Sequence, residues 1–454
     1  MQFNYFSILQ LLPAFLWLII IIVVAQIRKG RYTAEEGKYY MYNVYVKLFF
    51  SLSYALFFIL AYGGGDTIAY YHGTSALNNL FLEDPGMYFE QLLTTPTDSS
   101  ISTFFNSRTG YPPGWIYREP EGFFICKITS ILSFFTFKSF IATTLLLSYF
   151  VASASYKLFV LIRNMDIVSE RYLAIGLLFL PSVNFWCTGI SKDTFVYIGV
   201  LLMVYNGFII ISKDSKHRIR AIVMFVLTAL MVYHVRSIIL YVTIIALVLA
   251  YSTVLAKRIS SGGQAIIFVR LIIIVGGFFA LSQALSSGSE AEFLEQNSIF
   301  QEAAITQRDF ATNVTYGESR YSIGEIQFTP FGLIRASPFA IIAGVFRPFI
   351  WEALSPSLIF NGLESLLFTY LLFIFFSKGA MGKIRMIQSH ELLLFAISFV
   401  LIMAFVTGLT SGLFGVLVRL RAPLLPFAII LLSLKPVIEK IDPKTDPKPE
   451  ESTA

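Results

Sequence analysis

The chain has 454 residues, of which 56% are hydrophobic and only 14% charged, and its mean hydropathy is +0.70. Soluble domains carry about 25% charged residues, so this composition excludes an ordinary soluble protein and predicts an all-α, polytopic membrane protein. A formal net charge of +6 is modest for such a chain; it reflects basic loops and gives no reason to expect nucleic acid.

The first apolar run covers 6–26. It has no basic region before it and no small-residue cleavage site near Gln26, which predicts a retained first span and not a cleaved signal peptide. Further runs long enough to cross a bilayer lie at 43–62, 139–160, 172–188, 194–212, 219–233, 238–256, 265–285, 357–377, 390–410 and 421–436. Every second connection is basic: Arg28, Lys29, Arg31 and Lys38 follow the first span, Arg163 and Arg171 the third, Lys216, Arg218 and Arg220 the fifth. Counted this way, Lys and Arg place those connections in the cytoplasm. The expectation is a single domain over 1–440 with about eleven spans, its N-terminus outside and its C-terminus inside. The proline-rich stretch 441–454 reads as a disordered cytoplasmic tail.

Two long polar interruptions become external loops, 63–138 and 286–356. Each contains a hydrophobic stretch, 122–137 in the first and 336–351 in the second. Both are expected to be interfacial or re-entrant helices, since irregular backbone at membrane depth must line a cavity or be buried in protein.

With this topology the out-of-place charges gather on one face. Asp66 and His72 open the first external loop, and Arg118, Glu119 and Glu121 close it. Lys192 and Asp193 form one hairpin, His234 and Arg236 the next. Arg347 and Glu352 flank the second re-entrant stretch, and Arg419 and Arg421 stand at the mouth of the last span. Some of these have plain structural readings. Lys192–Asp193 is also what a surface ion pair looks like, and Glu119–Pro120 is a good helix start. Arginine at depth is expensive unless it pairs or meets an anion, and guanidinium groups grip phosphate bidentately. An acid beside such a cluster suggests removal of a proton from a hydroxyl while a phosphate leaves. External aromatics such as Tyr70, Tyr71, Trp115 and Tyr117 fit either an interfacial belt or stacking on sugar rings. Cys126 and Cys187 are the only cysteines, there is no CxxC or Cys/His cluster, and neither a P-loop nor a GxGxxG appears, so no cofactor or metal is expected.

At these residues the chain resembles EpsG-type and Wzy-type polysaccharide polymerases. The resemblance rests on Gly65-Asp66-Thr67-Ile68-Ala69-Tyr70, on Glu119-Pro120-Glu121-Gly122-Phe123, and on the hairpin around His234. It extends to Pro181 through Trp186 with Lys192-Asp193, to Arg347-Pro348 through Glu352, and to Gly415 through Arg419, Arg421 and Pro426. Here Gly64-Gly65-Asp66 replaces the Gly-Thr-Asp of that family, and His234-Val235-Arg236 stands where a His followed by a small residue is usual. The resemblance implies an inner-membrane glycosyltransferase of bacteria, related in architecture to the C-type enzymes that use lipid-phosphate donors. Its substrate would be an undecaprenyl-(pyro)phosphate-linked oligosaccharide, polymerised into O-antigen, capsule or exopolysaccharide beside other polysaccharide-assembly proteins. It implies Asp66 as base with His234 in the catalytic set, and Arg347, Arg419 and Arg421 as phosphate ligands, with Glu119, Lys192, Asp193, Arg236 and Glu352 around the substrate. The rival expectations are a transporter or flippase of lipid-linked oligosaccharides, a non-enzymatic envelope assembly protein, and an acyl- or phosphoglycosyl-group transferase.

Overall fold

In a bilayer every backbone N–H and C=O must be satisfied within the chain, and this sequence meets that demand with helices. The computed structural model describes residues 4–97, 99–212, 216–259, 301, 304–305, 308–309, 320–324, 326–353, 355–377 and 379–435. Among these residues there is no strand, and the only β pairings are two isolated bridges, Val168 with Leu434 and Arg320 with Leu413. Seven described helical stretches are long and apolar enough to cross a membrane, or eight if one bent pair is a single span. The protein is therefore an all-helical, multi-pass membrane protein. The expected span 265–285, most of the loop 286–331 and the tail 441–454 lie outside the described residues.

Helix α1 (Ile8–Lys29) and helix α8 (Phe140–Arg163) run side by side, and α2 (Ala34–Leu56) runs against them. α2 starts at Ala34, well before the expected residue 43, because Thr33 and Glu36 form a capping box, with Thr33 Oγ1 accepting from the Glu36 amide and Glu36 Oε2 accepting from that of Thr33. At this end of the bundle Arg163 gathers Glu35, Glu36 and Glu170 at 3.0, 2.9 and 3.1 Å. At its other end α2 passes through a π-helical turn, Phe57–Ala61, and delivers the chain to Asp66.

The expected span 172–188 is broken. α9 (Glu170–Ala174) gives way to a π turn, Ile175–Phe179, and the chain restarts as α10 (Pro181–Trp186) because Pro181 has no amide to continue the ladder. Two buried charges satisfy the freed groups. Lys47 donates to the Leu178 carbonyl at 2.9 Å and to Asn184 Oδ1, while Glu364 accepts from the Ser182 amide at 2.8 Å and from its hydroxyl. The cation thus meets the carbonyl end of the first half and the carboxylate the amide end of the second, the signs that helix dipoles favour.

The stretches 219–233 and 238–256 belong to one helical run, α12 (Arg218–Ile259), whose single non-helical residue is Arg236 (φ −158°, ψ 90°). Gly207 of α11 (Lys192–Ile211) shows that the run folds back on itself. Both Phe225 and Leu247 approach that glycine, at 3.8 and 3.2 Å from where a Cβ would lie. A straight run would set those two about 33 Å apart at 1.5 Å per residue. The hairpin expected at His234–Arg236 is therefore present, with a turn of one residue.

The stretch 122–137 forms α7 (Pro120–Phe135), too short to be a span at about 20 residues per crossing. The stretch 336–351 does not form one helix. α13 (Pro330–Phe346) takes in Pro338 and ends at Arg347, and it packs along α16 (Glu391–Thr410). Two glycines permit the contact. A Cβ on Gly344 would lie 2.3 Å from the Ala404 carbonyl oxygen, and one on Gly408 would lie 2.0 Å from that of Ala340. This is a small-residue crossing of the kind that lets membrane helices approach closely. Between them α14 (Pro356–Ser377) carries Glu364, and α15 (Ala380–Ser389) leads into α16. Of the expected last span, 421–436, the described helix is α18 (Leu425–Leu432); it meets the preceding α17 (Phe414–Leu420) at 70°, with Arg421 in the bend.

Replacing Gly408 by Val drives two methyl groups into the backbone of α13. We expect a loss of about 1–3 kcal/mol, the ordinary range for overpacking, read as a lower thermal midpoint in detergent. An unchanged midpoint would remove the crossing from the fold's essential contacts.

Candidate functional site

Six of the charged residues singled out by the sequence meet at the end of the bundle where α2 finishes. Asp66, Glu119, Asp193 and Arg419 each stand at the helix end that suits their sign, whereas Lys192 is a cation at an amide end and Arg236 stands in the turn of α12. Gly65, at φ +88° and with the rings of Tyr62 and Phe58 about 3 Å from where a Cβ would lie, turns the chain so that Asp66 becomes the first residue of α3 (Asp66–Glu83). Glu119 caps α7 ahead of Pro120. Ser191 caps α11, its hydroxyl accepting from the Thr194 amide at 3.2 Å, so Lys192 and Asp193 are the first two helical residues. Arg419 lies in the last turn of α17. Acids thus sit at amide ends and the arginine at a carbonyl end.

Adjacent helical residues point in different directions, and Lys192 and Asp193 divide accordingly. Asp193 points inward, its side chain 2% exposed, and binds two arginines: Arg419 Nε at 2.9 Å and Arg236 Nη1 at 3.0 Å. Arg419 reaches outward with its Nη2 to Asp66 Oδ2 at 3.2 Å, where the Asp66 side chain is 44% exposed. Lys192 pairs with Glu119 and stands 3.4 Å from Glu121. A cavity of about 250 Å³ is lined by Asp66, Tyr70, Trp115, Glu119, Lys192, Arg236, Arg419 and two apolar residues of α17. Burial, and then the charges of Asp66 and Glu119, push the Tyr70 phenol above its ordinary range, so it faces the cavity as a hydrogen-bond donor. Four carboxylates, Asp66, Glu119, Glu121 and Asp193, thus stand against the three cations Lys192, Arg236 and Arg419.

The Arg419 guanidinium also lies over the ring of Trp186, with its central carbon 5.6 Å from the ring centre. Trp186 is also a wall of a second, larger cavity of about 590 Å³ between α2, α10 and α14, whose lining is aromatic through Phe49, Phe57 and Phe185. The polar and apolar cavities therefore share a boundary made by one tryptophan and one arginine.

The remaining expected residues lie elsewhere. Arg347 and Glu352 pair with each other, Arg347 Nε standing 3.0 Å from Glu352 Oε1, and Arg347 also covers the Tyr321 ring at 4.7 Å. Arg421 is fully buried and donates to the backbone carbonyls of Val345 (at 3.4 Å) and Arg347, so it secures the end of α13 and does not face the cavity. His234 is exposed beside Phe124, ring centres 4.9 Å apart, and does not line the cavity although Arg236 does.

Among the described residues no group of three or more His, Cys, Asp or Glu side chains is arranged to hold a metal ion. Trp186, Lys47 and Glu364 carry parts of this arrangement that were not singled out from the sequence. For the two charges a signal existed, since Lys and Glu inside apolar runs are rare and usually paired. No family model, no curated protein and no solved structure matches this chain.

Asp193→Asn leaves two arginines facing each other without their shared partner. The expected cost is about 3–5 kcal/mol, the range for breaking a buried ion pair. Asp66→Asn removes a half-exposed partner and is expected to cost less than about 1 kcal/mol. Thermal unfolding of the two purified variants checks this ordering, and equal midpoints would contradict it.

Proposed function

We propose that this protein is a membrane glycosyltransferase that acts on undecaprenyl-(pyro)phosphate-linked sugars and polymerises repeat units of an envelope polysaccharide. We place it in the bacterial inner membrane, with the charged cavity on the extracytoplasmic side, the N-terminus outside and the C-terminus in the cytoplasm. The observation that carries the reading is the position of Arg419, which pairs with Asp66 and also lies over Trp186 of the aromatic cavity. A ligand with an anionic head and a long hydrocarbon chain suits that junction: the chain follows the aromatic wall and the head reaches the guanidinium.

The chemistry follows from an exchange of partners. An arriving phosphate competes with Asp66 for Arg419, and the half-exposed Asp66 side chain swings free to accept a proton. The hydroxyl of the acceptor sugar then attacks the anomeric carbon of the donor as its proton passes to Asp66. The bond from that carbon to the phosphate oxygen breaks, and the phosphate leaves with the electron pair. Arg419 and Arg236 neutralise the charge that develops, the kind of stabilisation that usually contributes most to catalysis. Asp193 acts behind them as a positioning residue. Tyr70 and Lys192 are placed to bond sugar hydroxyls, and Trp115 to stack on a ring.

A transporter or flippase of lipid-linked oligosaccharides is the second reading, favoured by the broken helix through Ala174 and Trp186, since discontinuous helices with charges at their ends mark many transport sites. Here both half-helix ends are already occupied by Lys47 and Glu364.

Asp66→Asn is expected to lower sugar transfer from a lipid-linked donor at least about 100-fold, the lower end of what a general base supplies, while the protein still reaches the membrane at wild-type level. Transfer assayed in proteoliposomes at wild-type rate would end the transferase reading. Loss of lipid translocation without loss of transfer would favour the transporter.

A further inference from the structure

The opposite end of the bundle carries a feature that the proposed reaction does not use. One face of α8 forms the floor of two adjoining cavities. Leu147, Phe150, Ala154 and Lys157 line an apolar one of about 300 Å³, closed by α7, α11 and α12. Lys157, Leu161 and Asn164 line a second of about 250 Å³. The spacing of these positions, three or four residues at a time, keeps them on a single stripe of the helix, and Lys157 belongs to both cavities. They form one furrow, apolar along its first part and polar at its end.

Its dimensions are those of a lipid. From Leu147 to Lys157 the helix rises about 15 Å at 1.5 Å per residue, half of a hydrocarbon core about 30 Å thick. The apolar part is therefore one leaflet deep. The polar part lies at the end of the bundle where α8 terminates, beside the phenols of Tyr32 and Tyr205. Arg28, four residues before Tyr32 at the end of α1, and Arg220, in the first turn of α12, are both exposed at this end, with Arg28 over the Tyr149 ring at 5.6 Å. Of the carboxylates at this end, Glu35, Glu36 and Glu170 are engaged by Arg163 and Asp166 by Lys435. Lys157, Arg28 and Arg220 make no ion pair among the described residues, so the mouth of the furrow has a surplus of positive charge.

We infer that the furrow along α8 is a binding site for one anionic phospholipid, with an acyl chain in the apolar part and the phosphate of the headgroup held by Lys157, Arg28 and Arg220. Ordinary lipid solvation would fill an apolar groove without regard to headgroup, and the three cations are what make this site selective. The headgroup end of the site lies at the far end of α8 from the charged cavity, and the inference stands independently of the glycosyl-transfer reading.

Native mass spectrometry of the purified full-length protein, with phosphatidylglycerol or phosphatidylcholine added in detergent, tests the inference. One phosphatidylglycerol molecule is expected to remain bound under activation that strips phosphatidylcholine. Lys157→Gln is expected to lower that preference about fivefold, the effect of roughly one basic residue at an anionic surface. Ala154→Trp, which fills the apolar part, should weaken retention of both lipids. Equal retention of the two lipids by the wild type overturns the proposal without recourse to any variant. So does an undiminished preference in both Lys157→Gln and the surface variant Arg220→Gln.

Discussion

The arrangement at the charged end depends on one buried carboxylate. Asp193 brings together three parts of the chain that are distant in sequence: the start of α11, the turn of the α12 hairpin through Arg236, and the last turn of α17 through Arg419. Taking a carboxylate out of water is costly, and it is sustained here by two guanidinium groups and by the amide end of its own helix. Because Arg419 continues outward to Asp66, the buried group also fixes where the exposed acid stands. The cavity is thus built inward from a single charge, and its outer residues inherit their geometry from it.

A second constraint holds the floor. The break between α9 and α10 frees backbone groups inside the membrane region, where no water is at hand to satisfy them. Lys47 comes from α2 and Glu364 from α14, so the repair ties the broken segment to two other helices. What the break gains is direction. A continuous helix would have carried Trp186 along its axis, whereas the restart at Pro181 sets that ring between the aromatic cavity and Arg419.

Much of this was legible in the sequence, for identifiable reasons. The membrane class follows from composition, and Asp66, Glu119, Lys192, Asp193, Arg236 and Arg419 drew notice because charges are rare in such a chain. What the sequence obscured was direction. Arg419 and Arg421 are two residues apart, which on a helix is about 200° of rotation, so one faces the cavity while the other is driven into the protein against α13. Arg347 and Glu352 are close in sequence and satisfied each other instead of a ligand. His234 stands two residues before the turn that Arg236 forms, and the two side chains diverge. The span boundaries failed where a local device overrode hydropathy: a capping box lengthened α2, a π turn and Pro181 split the segment after α9, and the bend at Arg421 delayed the start of the last helix. Lys47 and Glu364 were visible as charges in apolar runs, but their roles required a break whose position hydropathy does not mark.

The balance of charge in the cavity has a consequence for how a ligand gets there. Four carboxylates opposed by three cations leave a net field of only about one charge, and that is screened within about 8 Å at physiological ionic strength. Such a site does not pull charged molecules from solution over a distance, as a cleft of one sign does. Its recognition is short-range and begins only on contact. Capture therefore depends on delivery in two dimensions: a molecule confined to the bilayer and sliding along the aromatic wall past Trp186 meets Arg419 at a high local concentration, whereas a free anion of the same headgroup chemistry has no comparable approach.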